Sequence, residues 1–350
     1  MDRLIKLLWN NEEKRLRAVW RIFIYGTMTV LITALLFTFF ILIAGMIFAL
    51  TSPRIGNSFP FTLVYDRILA LVSNKSAILL ITSISTLLSV LVLTPFSMKF
   101  IDQRFWKPLK EQVTHSWWKE LGIGSLAGFF SIALIFTLLV VFGSIQVTGI
   151  NAEYRDLDFL SSFFGAVLIF ICVGVYEEVV FRGYVFKNLS EGFWGKWFTK
   201  ETAVILAGIL SSLVFSILHL TNPYASLLSF VNILVIGCLL CLSIMITGRL
   251  GFAIGFHVLW NFSQSVLFGI PVSGLAPQAA LLNIKVTGSV WLTGGPFGFE
   301  GSVLCLIINL ALTILVLLFI KTKNKDLRLN FKIADYTPGS SPVSDPQIHQ

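Results

Sequence analysis

Two adjacent glutamates, Glu177 and Glu178, stand out first, because of the 18 acidic residues only this pair lies well inside an apolar run. Two of the four histidines, His219 and His257, lie in other apolar runs. Arg182 follows Glu178 by four residues, and Asn261 follows His257 by four. An ionisable side chain within a bilayer costs about 2.5–3.5 kcal/mol on insertion scales, so such groups mark function by default. Residues four apart share a helix face. Glu178 is therefore expected to pair with Arg182, while Glu177, a quarter-turn away, lacks that partner. A buried glutamate without a cation is a candidate general base for activating water. The paired one is a structural carboxylate. His219 would hold and polarise that water, and His257 and Asn261 would donate hydrogen bonds to a developing oxyanion.

These groups must be positioned by membrane helices. Hydrophobic residues make up 56% of the chain and charged residues 13%, with 32 Phe and 9 Trp, against about 45–50% and about 25% in soluble domains. Mean hydropathy is +0.84. A helical span needs about 20 apolar residues, and eight stretches qualify: 22–50, 78–98, 121–147, 159–186, 203–220, 225–247, 250–268 and 302–320. The expected fold is an all-α polytopic helical bundle. With the N-terminus cytoplasmic, 21 of the 26 Lys and Arg fall on cytoplasmic segments. That predicts eight spans and both termini cytoplasmic. The net charge of +8 then reflects topology and gives no reason to invoke nucleic acid. The long first apolar run exceeds the core of a cleavable signal peptide, at about 7–15 residues, and reads as a span.

The predicted organisation is an N-terminal region with three spans (1–158), a core (159–268), an external loop and last span (269–320), and a disordered cytoplasmic tail (321–350). Leu4–Trp9 and the stretch around Trp106, Trp117 and Trp118 read as interfacial anchors. Glu300 and Asp66, in external loops, are expected to be solvated. His115 and His349 have no constellation around them. The four cysteines lie in apolar runs and read as packing residues, although Cys238 and Cys241 are spaced CxxC.

Glu177-Glu178-Val-Val-Phe-Arg182, Phe215-Ser-Ile-Leu-His219 and His257-Val-Leu-Trp-Asn261 resemble the EExxxR, FxxxH and HxxxN motifs of the CPBP family. That family comprises the CAAX proteases and bacteriocin-processing enzymes, and the three motifs occur here in its order. The resemblance covers about 160–265 and resides in these six residues plus Phe215. It implies a type II CAAX prenyl endopeptidase-like intramembrane protease acting on a membrane-embedded or lipid-anchored protein or peptide. In eukaryotes, similar proteins remove the last three residues of prenylated CAAX proteins.

Other readings compete. Zinc or another divalent metal could bind through Glu177, His219 and His257, since catalytic zinc sites use three protein ligands plus water. The expected chemistry is nevertheless cofactor-free, because Asn261 is a poor zinc ligand and the chain lacks HExxH. A proton- or ion-coupled transporter would use the same groups as a relay. A catalytically silent immunity or scaffold protein would keep only the fold. A bacterial plasma membrane is the simplest location for a chain without a targeting segment.

Overall fold

The computed structural model describes residues 7–51, 61–104, 113–154, 156–195, 198–324 and 329–338. Arg155, Trp106, His349, Leu4–Lys6 and the end of the tail lie outside the described residues. The chain is an all-α membrane bundle. Its helices are α1 (Ala18–Thr51), α2 (Phe61–Ser73), α3 (Lys75–Phe100), α4 (His115–Val141), α5 (Leu157–Glu178), α6 (Phe186–Phe193), α7 (Lys200–Leu218), α8 (Leu227–Thr247), α9 (Gly251–Phe262) and α10 (Val303–Asn324), with α5 passing into α6 through a π-helical segment, Val179–Val185. Two small antiparallel pairs accompany them: β1 (Trp9–Asn10) with β2 (Arg15–Leu16), and β3 (Ile145–Ile150) with β4 (Leu282–Val286).

Six helical stretches among the described residues are long and apolar enough to cross a bilayer: Ala18–Phe48, Lys75–Phe100, His115–Val141, Leu157–Phe193, Lys200–Thr221 and Leu227–Thr247. The other two expected spans are shorter: α9 continues only through a π-helical segment, Ser263–Leu267, and the apolar part of α10 covers Val303–Leu318. Along α1, Val30, Leu35 and Phe39 are 69%, 70% and 54% exposed. Such an apolar face is tolerable only against lipid or a partner, and the protein is an integral, multi-pass membrane protein.

Close helix contact follows from small residues. In bilayers helices associate by packing, and glycine lets backbones approach. A Cβ on Gly124 of α4 would stand 2.1 Å from the Phe252 carbonyl oxygen, and one on Gly255 of α9 would stand 2.1 Å from that of Leu121. Two facing glycines thus seat α9 against α4.

The basic residues read as loop charges do not all meet solvent. Arg15, Arg21 and Arg104 are buried around Glu191 and Asp102. Glu191 Oε2 accepts from Arg104 at 2.9 Å and forms an ion pair with Arg15 at 2.9 Å, and Lys187 pairs with its other oxygen at 3.2 Å. Asp102 also receives the Tyr184 hydroxyl at 3.0 Å. The tail expected to be disordered is in part packed here. Helix α10 runs to Asn324, a turn of 3₁₀ helix spans Phe331–Ala334, and Lys187 Nζ donates to the carbonyls of Ile333 and Asp335 at 2.6 and 2.7 Å. Its Tyr336 ring lies 3.4 Å from the Arg15 guanidinium carbon. A half-buried cation at the core edge therefore recruits tail carbonyls that composition alone assigns to solvent. Trp9, at the end of the anchor expected over Leu4–Trp9, belongs to β1.

Removing one partner of a buried ion cluster leaves uncompensated charge, at a cost of about 3–5 kcal/mol. Glu191→Ala is expected to lower the unfolding midpoint in detergent by that order, while Glu12→Ala on the exposed turn changes it little. Equal midpoints for the two variants would contradict this account.

Candidate active site

Glu178 ends the α-helical part of α5, and the π-helical segment that follows carries Arg182. π-bulges re-aim side chains and recur at functional sites. The expected i, i+4 pair is present: Arg182 Nη1 donates to Glu178 Oε1 at 3.0 Å, both side chains fully buried. Glu178 Oε1 has a second partner, His257 Nδ1 of α9, at 2.8 Å. The other ring nitrogen, His257 Nε2, lies 3.6 Å from Glu177 Oε2. Glu177 therefore does have a partner, on another helix. The two helices meet this closely because a Cβ on Gly174 would stand 2.5 Å from Val258 Cγ2, one residue beyond His257.

The middle motif joins through Phe215. The Arg182 guanidinium carbon sits 4.5 Å from the centre of its ring, a cation–π contact that occupies a buried cation. His219 tilts against the same ring at 4.5 Å between centroids, and His257 lies 6.3 Å away on an edge-on approach. Helix α7 ends at Leu218, and His219 opens a 3₁₀ turn. His219 Nδ1 lies 2.8 Å from the Phe215 carbonyl oxygen. A carbonyl only accepts, so Nδ1 carries the proton and Nε2 of the neutral ring is an acceptor.

A small cavity of about 40 Å³ is lined by His219, His257, Asn261, Phe215, Ser273 and Glu300, among others. A water needs roughly 10–15 Å³ of such space. The Asn261 amide and His219 Nε2 make no hydrogen bond with any described residue and are free to serve a molecule in the cavity. Glu177 is not part of the lining and meets it through His257. Thus Glu178, Arg182, Glu177 and His257 form one contact chain, and His219 and Asn261 share the cavity that His257 walls.

The candidate metal set fits poorly. Both ring nitrogens of His257 face glutamates, the protonated Nδ1 of His219 faces a carbonyl, and among the described residues no three His, Cys, Asp or Glu side chains converge as a ligand set. The four cysteines are free thiols.

Glu300 corrects the expectation of a solvated loop acid. It is 3% exposed. Its Oε1 accepts from Trp260 Nε1 at 3.1 Å and its Oε2 from Gln264 Nε2 at 2.7 Å. Burial pushes its carboxyl pKa up, against the opposing pull of those hydrogen bonds. The sequence did carry one signal, an acid flanked by Phe299 and closely preceded by Phe297 in a glycine-rich turn. Both rings are buried.

Two outcomes follow. Glu178→Ala strands Arg182 and is expected to destabilise by about 3–5 kcal/mol, whereas Glu177→Ala, at a partly exposed position, is expected to cost about 1 kcal/mol or less; detergent unfolding compares them. Because the Glu300 pKa is raised by folding, its contribution to stability is full below the unfolded value of about 4.3 and declines as pH rises through the folded value. Melting against pH should flatten over that window in Glu300→Gln, and a profile identical to wild type would contradict the assignment.

No curated protein and no solved structure matches the chain. The block that carries all three motifs does match a family model: residues 159–263 align with the family described as Rce1-like, type II CAAX prenyl endopeptidase Rce1-like. The convergent glutamates, histidines and asparagine thus sit in the block that is similar to the Rce1-like family.

Proposed function

We propose that the protein is an intramembrane endopeptidase that hydrolyses a peptide bond of a membrane-embedded or lipid-anchored protein or peptide, with Glu177 as the base. One observation supports this reading above the others. Two of the three motifs line one cavity of water size, the third reaches it through the His257 ring, and the two groups best suited to bind water and oxyanion are uncommitted. In this reading Glu177 takes a proton as the water oxygen attacks the carbonyl carbon. The Asn261 amide donates to the oxyanion, and His219 Nε2 accepts from the water. Glu177 then passes the proton to the departing amine as the C–N bond breaks, so no other reactant is consumed. His257 holds Glu177, a different role from the oxyanion donor expected from its motif. Glu178 and Arg182 keep His257 in place. Cytoplasmic termini and a bacterial plasma membrane belong to the same proposal.

The test uses purified protein in proteoliposomes and a quenched fluorescent peptide with a prenylated cysteine in a CAAX ending. Glu177→Gln is expected to abolish cleavage while the protein still folds. Asn261→Ala should slow it by about 10²–10³, as for loss of one oxyanion donor. Chelator treatment should leave the rate unchanged. Cleavage that persists in Glu177→Gln would overturn the glutamate mechanism. Loss of pH-dependent uptake in that variant, without any peptidase activity in wild type, would favour a transporter.

A further inference from the structure

We infer that Glu300 is a further residue of this site: a positioning carboxylate that fixes, through Trp260 and Gln264, the helical turn presenting Asn261 to the cavity. The inference rests on the proposed reading of that cavity as the place of hydrolysis. Nothing in the three motifs points to residue 300, which lies outside the block that matches the family model.

The argument begins with how the carboxylate arrives. The preceding loop turns through Gly294, Gly295 and Gly298, with φ of +79°, +57° and +99°. Glycine adopts such angles without steric cost. A Cβ on Gly298 would stand 1.9 Å from the Pro271 carbonyl oxygen and 2.7 Å from Gln264 Nε2. The loop is therefore threaded against α9 and its π-helical extension as closely as a backbone allows. On the far side, Asn232 of α8 clamps it by donating to the carbonyls of Glu300 and Ser302 at 2.8 and 2.9 Å.

The carboxylate then grips one helical stripe. His257, Trp260, Asn261 and Gln264 recur at i, i+3, i+4 and i+7, the spacing of a single helix face. Glu300 takes Trp260 on one oxygen and Gln264 on the other, so it brackets Asn261 in sequence. The helix changes from α to π at Ser263 within this bracket. Gln264 Nε2 also reaches the Pro271 carbonyl at 2.6 Å, tying the chain beyond α9 to the same point. An acid is a costly choice for packing alone, because a buried polar group must find partners. Here both oxygens are used, and both partners flank the proposed oxyanion donor.

The experiment compares Glu300→Ala, Glu300→Gln and Trp260→Phe with Glu177→Gln on the prenylated CAAX peptide, together with hydrogen exchange over residues 257–264. Loosening a donor's support acts on the chemical step, so Glu300→Ala and Trp260→Phe are expected to lower kcat by about tenfold or more with KM within about threefold. Glu300→Gln keeps an acceptor for Trp260 and should lie between wild type and Glu300→Ala. Exchange in the turn from Trp260 to Gln264 should quicken in Glu300→Ala while the other helices stay protected. Wild-type kcat in both Glu300→Ala and Trp260→Phe, alongside a dead Glu177→Gln, overturns the inference and spares the protease reading. Full cleavage by Glu177→Gln overturns the mechanism instead. If no variant, wild type included, cleaves the peptide, unchanged exchange in that turn still overturns the positioning role, and faster exchange supports it.

Discussion

One carboxylate oxygen organises the site. Glu178 Oε1 accepts from both Arg182 and His257, and the Glu178 and Arg182 side chains are fully buried. Removing charges from water costs several kcal/mol per ion, and attraction repays this only when geometry and hydrogen bonds are good. The three groups can therefore exist there only together. Arg182 in turn rests on Phe215, and Phe215 sets His219. His257, fixed by Nδ1, directs Nε2 at Glu177. Each motif lends one side chain to hold the next.

The second buried charge cluster works on the same physics for another end. Glu191 and Asp102 gather Arg15, Arg21, Arg104 and Lys187 from the N-terminal hairpin, α1, the segment after α3 and α6. Tyr25 of α1 stacks on Tyr184 at 3.9 Å and bonds Thr94 of α3 at 2.8 Å. Together these contacts fasten the first spans to the core that carries the site. Lys187 links that cluster onward to the tail. Among the described residues the fully buried charges thus fall in two dense interior groups, with Glu300 apart from both.

Much of the site was legible because the cost of burying charge makes exceptions conspicuous. Glu177, Glu178, His219 and His257 could be picked out against apolar surroundings, and i, i+4 spacing foretold the Glu178–Arg182 pair. What the sequence did not show is that His219 sits past the end of α7 and packs, with His257, against the Phe215 ring. The partner of Glu177 was invisible, since helical spacing reports one face of one helix and His257 lies on another. Glu300 and the packed tail were missed for a shared reason: both sit in polar, turn-rich segments where composition points to solvent and only long-range contacts reverse it.

By itself, the sequence determined that this is an all-α membrane protein, where its apolar helices run, and which few ionisable residues are candidates for chemistry. Those facts follow from local quantities, namely apolar run length, periodicity and the price of buried charge. Tertiary structure decided which nitrogen faces which carboxylate, that Asn261 and His219 share a cavity, and that an acid from a distant glycine-rich loop closes it. Such pairings depend on backbone approach at Gly174, Gly255 and Gly298, and close approach is a relation between segments that no single segment encodes.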